Sequence, residues 1–132
     1  MDSYPKRRGL TRIKELWQAG LNVSLGHDCI QDPWYSLGTG NLLDVASMAV
    51  HVGQMTGRAE IQACYEMVTW NGAKTFGLPD YGLYEGGPAN LIVLEAKDPI
   101  EAIRQRSIPL SVMARGKLLA QAAPKQVKWL GD

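Results

Sequence analysis

The chain has 132 residues, 45% of them hydrophobic and 20% charged, and its formal net charge at pH 7 is +1. This length suits a single ordinary domain, and the composition is that of a soluble globular protein. The near-neutral charge gives no electrostatic reason to expect nucleic acid or an anionic membrane as a partner, and no stretch reaches the ~18 apolar residues that a membrane-spanning helix needs.

The first ten residues are polar and are interrupted by Pro5 and Gly9, which predicts a loop. They contain the only dense basic cluster of the chain, Lys6-Arg7-Arg8. A run of three basic residues is typical of a solvated turn rather than of a nucleic-acid site. We therefore expect no nucleic-acid contact here.

A short helix and a strand are predicted next. Thr11 can act as the N-cap of a helix over residues 12–19, and Gly20 would end it. Residues 21–26 then have the character of a short strand. A helix, a terminating glycine and a strand in close succession are typical of the alternating helices and strands of a parallel α/β fold.

The alternation within this strand gives it two different faces. Val23 and Leu25 share the apolar face. The other face carries small or polar residues, namely Asn22, Ser24, Gly26 and Asp28. A barrel strand has this pattern when its apolar face meets covering helices and its small face meets the interior. Asp28 would then project inward at the C-terminal end of the strand, where parallel α/β folds place their chemistry.

Two helices are predicted after the loop that follows Asp28. Asn41 can cap the first, which would run to about Gln54. Its expected apolar stripe consists of Leu42, Val45, Ala49 and Val52. The second helix would span residues 60–76, and the glycine- and proline-rich residues 77–90 would form a turn-rich connection.

The character of the sequence changes beyond residue 89. Short strands are predicted at residues 91–94, 110–114, 117–120 and 127–130, with a helix at residues 99–106. Arg115-Gly116 would form the turn of a hairpin between two of these strands. This part of the chain therefore has the pattern of a small β-sheet that follows an α/β unit.

The residues alone leave the chemistry of a site incomplete. Asp28 follows a histidine, yet His27 and His51 are the only histidines of the chain, and a metal site normally needs three or four protein ligands. His27 has the opposite strand parity to Asp28, so we expect it to be packed or hydrogen-bonded rather than to bind a metal. His51 is expected at a core or surface position of its helix.

Three runs in the first third of the chain carry a resemblance to a known family. They are Tyr4-Pro5-Lys6-Arg7-Arg8-Gly9, Gly26-His27-Asp28 and Asp32-Pro33-Trp34-Tyr35-Ser36-Leu37-Gly38. With these runs the chain resembles the bacterial cytosine deaminases of the amidohydrolase superfamily. Later runs are similar to the usual passage of that superfamily from a barrel to a β-domain, namely Asn71-Gly72-Ala73-Lys74, Asp80-Tyr81-Gly82-Leu83 and Ala89-Asn90-Leu91-Ile92-Val93-Leu94.

The resemblance implies an α/β fold, the C-terminal part of a (β/α)8 metal-dependent hydrolase barrel followed by strands of a small β-sandwich domain. Residues 1–77 would be the last βα units of the barrel, and residues 78–132 would be the β-domain segment. The other histidine ligands and the acid/base glutamate of the family would lie upstream of Met1, since a barrel takes ~250 residues. We therefore expect the isolated chain to be inactive.

The resemblance also implies an activity, the hydrolytic deamination of a free pyrimidine base with one divalent metal ion, iron or zinc. Asp28 matches the metal-binding aspartate of the family, which would hold the cation with one carboxylate oxygen and accept a proton with the other. Trp34 matches a tryptophan near the substrate, and base–aromatic stacking contributes ~1–3 kcal/mol in nucleic-acid proteins.

Cys29 departs from the family pattern, in which many members carry a second aspartate directly after the metal ligand. A thiol removes a charge there and leaves a less polar lining. Our hypothesis is that Cys29 lets the pocket accept cytosine with an apolar 5-substituent, such as a methyl group.

Two other functions stay open. The substrate could be another cyclic amidine, such as isocytosine or a triazine, or the chain could be a non-catalytic truncated remnant or interaction module. For the complete enzyme we expect a small-molecule pyrimidine substrate, no nucleic-acid or membrane partner, and a homo-oligomer. We expect a cytoplasmic location because the chain has two lone cysteines and its first residues lack the apolar stretch of a signal peptide.

Overall fold

The computed structural model describes residues 9–131. The basic cluster at residues 6–8 and most of the run from Tyr4 to Gly9 lie outside this range. No helix within the described range is long and apolar enough to cross a membrane.

Five helices and three strands make up the described part of the chain. The helices are α1 (Ile13–Gln18), α2 (Leu42–Val52), α3 (Arg58–Met67), α4 (Trp70–Thr75) and α5 (Pro99–Gln105). The strands are β1 (Leu91–Leu94), β2 (Pro109–Ala114) and β3 (Lys117–Gln121). Four helices therefore precede the sheet, and the fifth is inserted between its first two strands.

The starts of α1 and α2 test two predicted caps. Asn41 is confirmed as the N-cap of α2, because its Oδ1 accepts the backbone N–H of Leu43 at 3.0 Å. The N-cap of α1 is Arg12, without a side-chain capping bond. The prediction of Thr11 is therefore wrong by one residue, and Thr11 instead accepts the N–H of Ile13 at 2.8 Å through its backbone carbonyl.

The core lies where α2, α3 and α5 pack against one another. The three helices contribute Leu43, Ala46, Ala49 and Val50, then Ala63, Cys64 and Met67, and finally Ala102 and Ile103. Met55, between α2 and α3, is fully buried, and its Sδ lies 3.8 Å from the Sγ of Cys64. Because α5 belongs to this core, both parts of the chain contribute to it, and the boundary between residues 77 and 78 stays a prediction.

The buried face of α2 differs from the predicted stripe. Leu42 and Val52 are 40% and 46% exposed, whereas Leu43 and Val50 are buried. The helix carries apolar side chains on nearly all sides, so a period of 3.6 residues does not by itself select one face. Packing against α3 and α5 selects it.

The helix predicted over residues 60–76 is two helices, α3 and α4, separated at Val68 and Thr69. The backbone N–H of Leu25 donates to the carbonyl of Met67 at 3.0 Å, and the Thr69 hydroxyl donates to the carbonyl of Tyr65 at 2.8 Å. The bond from Leu25 gives the Met67 carbonyl at the end of α3 a partner outside the helix, and the Thr69 hydroxyl adds a second bond to the Tyr65 carbonyl, which already accepts the N–H of Val68. The chain can therefore turn there at little cost.

Residues 21–27 run extended beside α3 and α4, but no strand of the described chain pairs with them. The strand predicted at residues 21–26 is therefore not formed, because a strand requires a neighbouring strand. Its backbone groups bond to helices instead, and the Val23 carbonyl accepts from Asn71 Nδ2 at 2.8 Å. The predicted alternation is nevertheless present. Val23 and Leu25 are half-buried against the core, while Asn22, Ser24, Gly26 and Asp28 are exposed.

The strands form one antiparallel sheet in the order β1-β2-β3. Arg115 and Gly116 connect β2 to β3 with φ values of 50° and 75°. Two consecutive residues with positive φ are the requirement of a type I′ hairpin turn, so the predicted hairpin is confirmed.

The strand predicted at residues 127–130 is wrong. The N–H of Ala122 still donates to the carbonyl of Leu110 at 2.9 Å, and the described chain has no assigned strand beyond that point. Trp129 and Leu130 are 88% and 84% exposed. The residues that suggested a strand, three of them apolar, thus have no neighbour in the described chain to pair with.

Candidate active site

An open cavity of about 910 Å³ lies between the loop after the extended segment and one side of α2. The loop region contributes Gly26, His27, Asp28, Cys29, Trp34, Tyr35 and Leu37 to its lining. The helices contribute Asp44, Val45, Ser47, Met48 and His51, together with Arg106 at the end of α5. The three predicted site residues, Asp28, Cys29 and Trp34, therefore share one cavity.

Asp28 stands where the extended segment turns into the loop. Its backbone φ is 63°, in the left-handed region that Asp and Asn tolerate better than most other residues. The residue is exposed and lies on the face opposite to Val23 and Leu25. Its carboxylate is thus accessible in the wall of the cavity.

His27 is bonded to the start of the same loop. Its Nδ1–H donates to the carbonyl oxygen of Cys29 across 3.0 Å, and its ring centroid lies 6.3 Å from that of Tyr35. A half-buried, hydrogen-bonded histidine is what the strand parity predicts.

The carboxylate of Asp32 organises the middle of the loop. Its Oδ1 accepts the backbone N–H groups of Trp34 at 3.0 Å and of Tyr35 at 2.9 Å, as in an Asx turn. The bond from Tyr35, followed by one from the Cys29 thiol, holds the pKa of Asp32 below its ordinary value, because both favour the charged form.

The Cys29 thiol is half-buried among carboxylates. Hydrogen bonding to Asp32, loss of hydration and the nearby charge of Asp28 raise the pKa of Cys29 to about 11, since each of them favours the uncharged thiol. At neutral pH the side chain is therefore a neutral and weakly nucleophilic group in the cavity lining.

Gly38 packs against the backbone at the start of the loop. A Cβ at this position would lie 2.4 Å from the carbonyl oxygen of Cys29 and 2.8 Å from the Cα of Ile30. Both neighbours are backbone atoms, which cannot move aside as the end of a flexible side chain can. Only glycine allows the two ends of the loop to approach this closely.

The sequence did not assign a site role to any of the residues that α2 and α5 add to the cavity, and His51 was expected only at a core or surface position of its helix. Asp44, Ser47 and His51 are spaced three and four residues apart, so they share one side of a helix, and this spacing was the available signal. Arg106 adopts a φ of 50° as the C-cap of α5. Its position beside the loop depends on tertiary packing, for which no local signal exists.

Comparison with known proteins agrees with this architecture. Residues 1–118 match the model of an amidohydrolase family, Amidohydro_3, and the chain belongs to that family. In the crystal structure of 5-methylcytosine deaminase from Klebsiella pneumoniae liganded with 5-fluorocytosine, the similar region is 43% identical with a TM-score of 0.88, and it covers 97% of this chain. The resemblance to cytosine deaminases that the sequence suggests is therefore confirmed.

More distant relatives carry other names. N-isopropylammelide isopropylaminohydrolase from Burkholderia multivorans ATCC 17616 is 25% identical over 83% of this chain, with a TM-score of 0.77. The pterin deaminase of Rhizobium rhizogenes (strain K84 / ATCC BAA-868) is 29% identical over 91% of this chain. The chain spans only 27% of that pterin deaminase and 31% of the Klebsiella deaminase chain.

A divalent metal ion is the cofactor that this superfamily generally uses. Within residues 9–131, no three His, Cys, Asp or Glu side chains lie together in a way that could hold such an ion. Asp28 offers one accessible carboxylate, a donor that zinc and other divalent ions accept. The described residues thus fit one ligand of a metal site, Asp28, and do not form a complete ligand set.

Proposed function

We propose that this chain forms part of the active site of a metal-dependent hydrolase that deaminates a free pyrimidine base, cytosine or a 5-substituted cytosine. One observation carries the proposal. Asp28, Cys29 and Trp34 line a single cavity in a chain that is 43% identical to a 5-methylcytosine deaminase over 97% of its length.

The proposed fold of the complete protein is a (β/α)8 barrel with a small β-sandwich domain. Residues 1–77 would supply the last βα units of the barrel, and residues 78–132 would supply strands of the sandwich. Large exposed apolar side chains support this assignment, since Ile92 and Leu119 of the sheet are 53% and 60% exposed. Apolar surfaces of this kind usually pack against another part of a protein. We further infer a cytoplasmic homo-oligomer.

In this proposal Asp28 performs two tasks. One carboxylate oxygen helps to hold a divalent ion, iron or zinc, and the other accepts a proton from the attacking water. When bound, such an ion supplies Lewis-acid chemistry and makes water a nucleophile at neutral pH. The remaining ligands would come from residues outside the described part of the chain.

The substrate ring would be held by the loop. Trp34, which is 84% exposed, would stack against the flat face of the ring. The neutral thiol of Cys29 would face its substituent. The oxygen of the water then bonds to the ring carbon that carries the exocyclic amine, the carbon–nitrogen bond breaks, and the amine leaves with the transferred proton as ammonia.

Ammonia release by the complete protein that carries this chain tests the proposal. We expect turnover of cytosine and 5-methylcytosine together with stoichiometric divalent metal. The relatives named for pterin and N-isopropylammelide favour one alternative, so turnover of pterin, isocytosine or a triazine instead would assign a different ring. Metal-free protein that releases ammonia from none of these would support a non-catalytic role.

Replacement of Cys29 by aspartate tests its part in ring selection. We expect the ratio of kcat/KM for 5-methylcytosine to that for cytosine to fall by about tenfold or more, since one methyl group in a fitted pocket is worth at least that much and a charge beside it would be poorly hydrated. Steady-state kinetics on both bases measure the ratio.

Cys29→Ser is the matched control, because it keeps a small neutral side chain and should leave the ratio nearly unchanged. A strong preference for unsubstituted cytosine that is the same in the wild type and in Cys29→Asp would refute this role.

A further inference from the structure

The loop that carries Trp34 has almost no buried surface. Among residues 30–40 only Asp32, which is half-buried, and Gly38, which is buried, are not exposed. The large apolar side chains Ile30, Trp34 and Leu37 are 53%, 84% and 76% exposed. Packing therefore contributes little to the shape of this loop, and its hydrogen bonds must determine it.

Two of those hydrogen bonds converge on one half-buried carboxylate. Oδ1 of Asp32 accepts two consecutive N–H groups, from Trp34 and Tyr35. The ends of the loop meet at Cys29, whose carbonyl accepts from His27 and lies against Gly38, while its thiol also bonds to Asp32.

We propose that Asp32 is a positioning residue, whose carboxylate fixes the backbone of Trp34 and thereby the place of the indole in the cavity. An indole that is 84% exposed has too few neighbours to fix its own position, so the position follows from the backbone. The inference rests on the proposed function, in which Trp34 contacts the substrate ring. Asp32 itself touches neither the substrate nor the reacting atoms.

Two variants of the complete, metal-loaded protein test the proposal. Asp32→Ala removes the acceptor, and we expect KM for cytosine to rise about tenfold, the scale of one stacking contact. The value of kcat should change little, because stacking is an interaction that the substrate and the transition state share. Asp32→Asn keeps the Oδ1 acceptor and the Asx turn, so its KM should stay within about twofold of the wild type.

A second measurement needs no variant that might misfold. In protein labelled with 15N-tryptophan, the backbone amide proton of Trp34 should exchange slowly with solvent, as a hydrogen-bonded amide does. Its chemical shift should also change little with temperature. Ser36→Ala, in the same exposed loop, is the matched control and should leave both the Trp34 amide and KM unchanged.

Three results would overturn the proposal, namely a freely exchanging Trp34 amide in the wild type, an unchanged KM in Asp32→Ala, or a fall of kcat at constant KM. An equal rise of KM in Asp32→Asn and Asp32→Ala would also contradict it, because the charge rather than the turn would then matter. Failure of the proposed function is distinct from all of these, since the wild-type protein itself would release no ammonia.

Discussion

Asp28→Asn in the complete, metal-loaded protein is expected to lower kcat by about 10²–10⁴-fold, the range for loss of a positioned proton acceptor. Asparagine removes the charge and the proton acceptor but tolerates the left-handed backbone at φ 63°. Alanine at this position would add backbone strain. With asparagine, a loss of activity can therefore be attributed to the missing carboxylate rather than to disturbed folding. Ammonia release and metal content, measured on the same sample, should both fall.

Asp80→Asn is the control for this variant. Asp80 lies in the exposed connection after α4, where it accepts a hydrogen bond from the Tyr84 hydroxyl at 3.3 Å. The same change of charge there should leave kcat and metal content as they are. If Asp28→Asn retains both wild-type turnover and its metal, Asp28 has neither of its proposed tasks.

Gly38→Ala should have the largest effect on stability. The added Cβ would stand 2.4 Å from the Cys29 carbonyl oxygen, so the backbone of the loop would have to move apart. Forced overpacking of this kind costs about 1–3 kcal/mol in unfolding free energy, and occasionally more. Because the displaced segment carries Cys29 and Trp34, we expect kcat/KM to fall as well. Urea unfolding and steady-state kinetics measure the two effects.

Gly72→Ala is the matched control for this change. Gly72 lies inside α4, and a Cβ added there would have no neighbouring atom within 4 Å. Alanine is favoured over glycine in a helix by roughly 0.5–1 kcal/mol, so this variant should be neutral or more stable. A Gly38→Ala protein as stable and active as Gly72→Ala would show that the loop can open freely.

Local signals in the sequence predicted those parts of the fold that depend on neighbouring residues. Asn41 caps α2 through an amide two residues away, and the Arg115-Gly116 turn requires only its own two residues. The end of α3 was not predictable in this way. It depends on a bond between Leu25 and Met67, which are far apart in the chain, while the helical pattern continues past the break.

In the candidate site, too, some features were predictable from neighbouring residues and others depend on contacts between distant parts of the chain. Asp28 was placed by strand alternation, and its proposed role, like that of Trp34, came from resemblance to a family. The polar side of α2 and Arg106 were missed, because their approach to the loop follows from packing rather than from a local pattern. The need for glycine at position 38 was hidden for the same reason, since it arises from contact with Cys29.

The place of α5 in the core has a consequence for protein engineering. Ala102 and Ile103 are buried with residues of α2 and α3, although α5 follows β1 in the chain. A chimera of two relatives that is joined in the turn-rich residues 77–90 would seat the α5 of one parent against the α2 and α3 of the other. Crossover points placed before α2 and after α5 would instead pass this three-helix unit on intact.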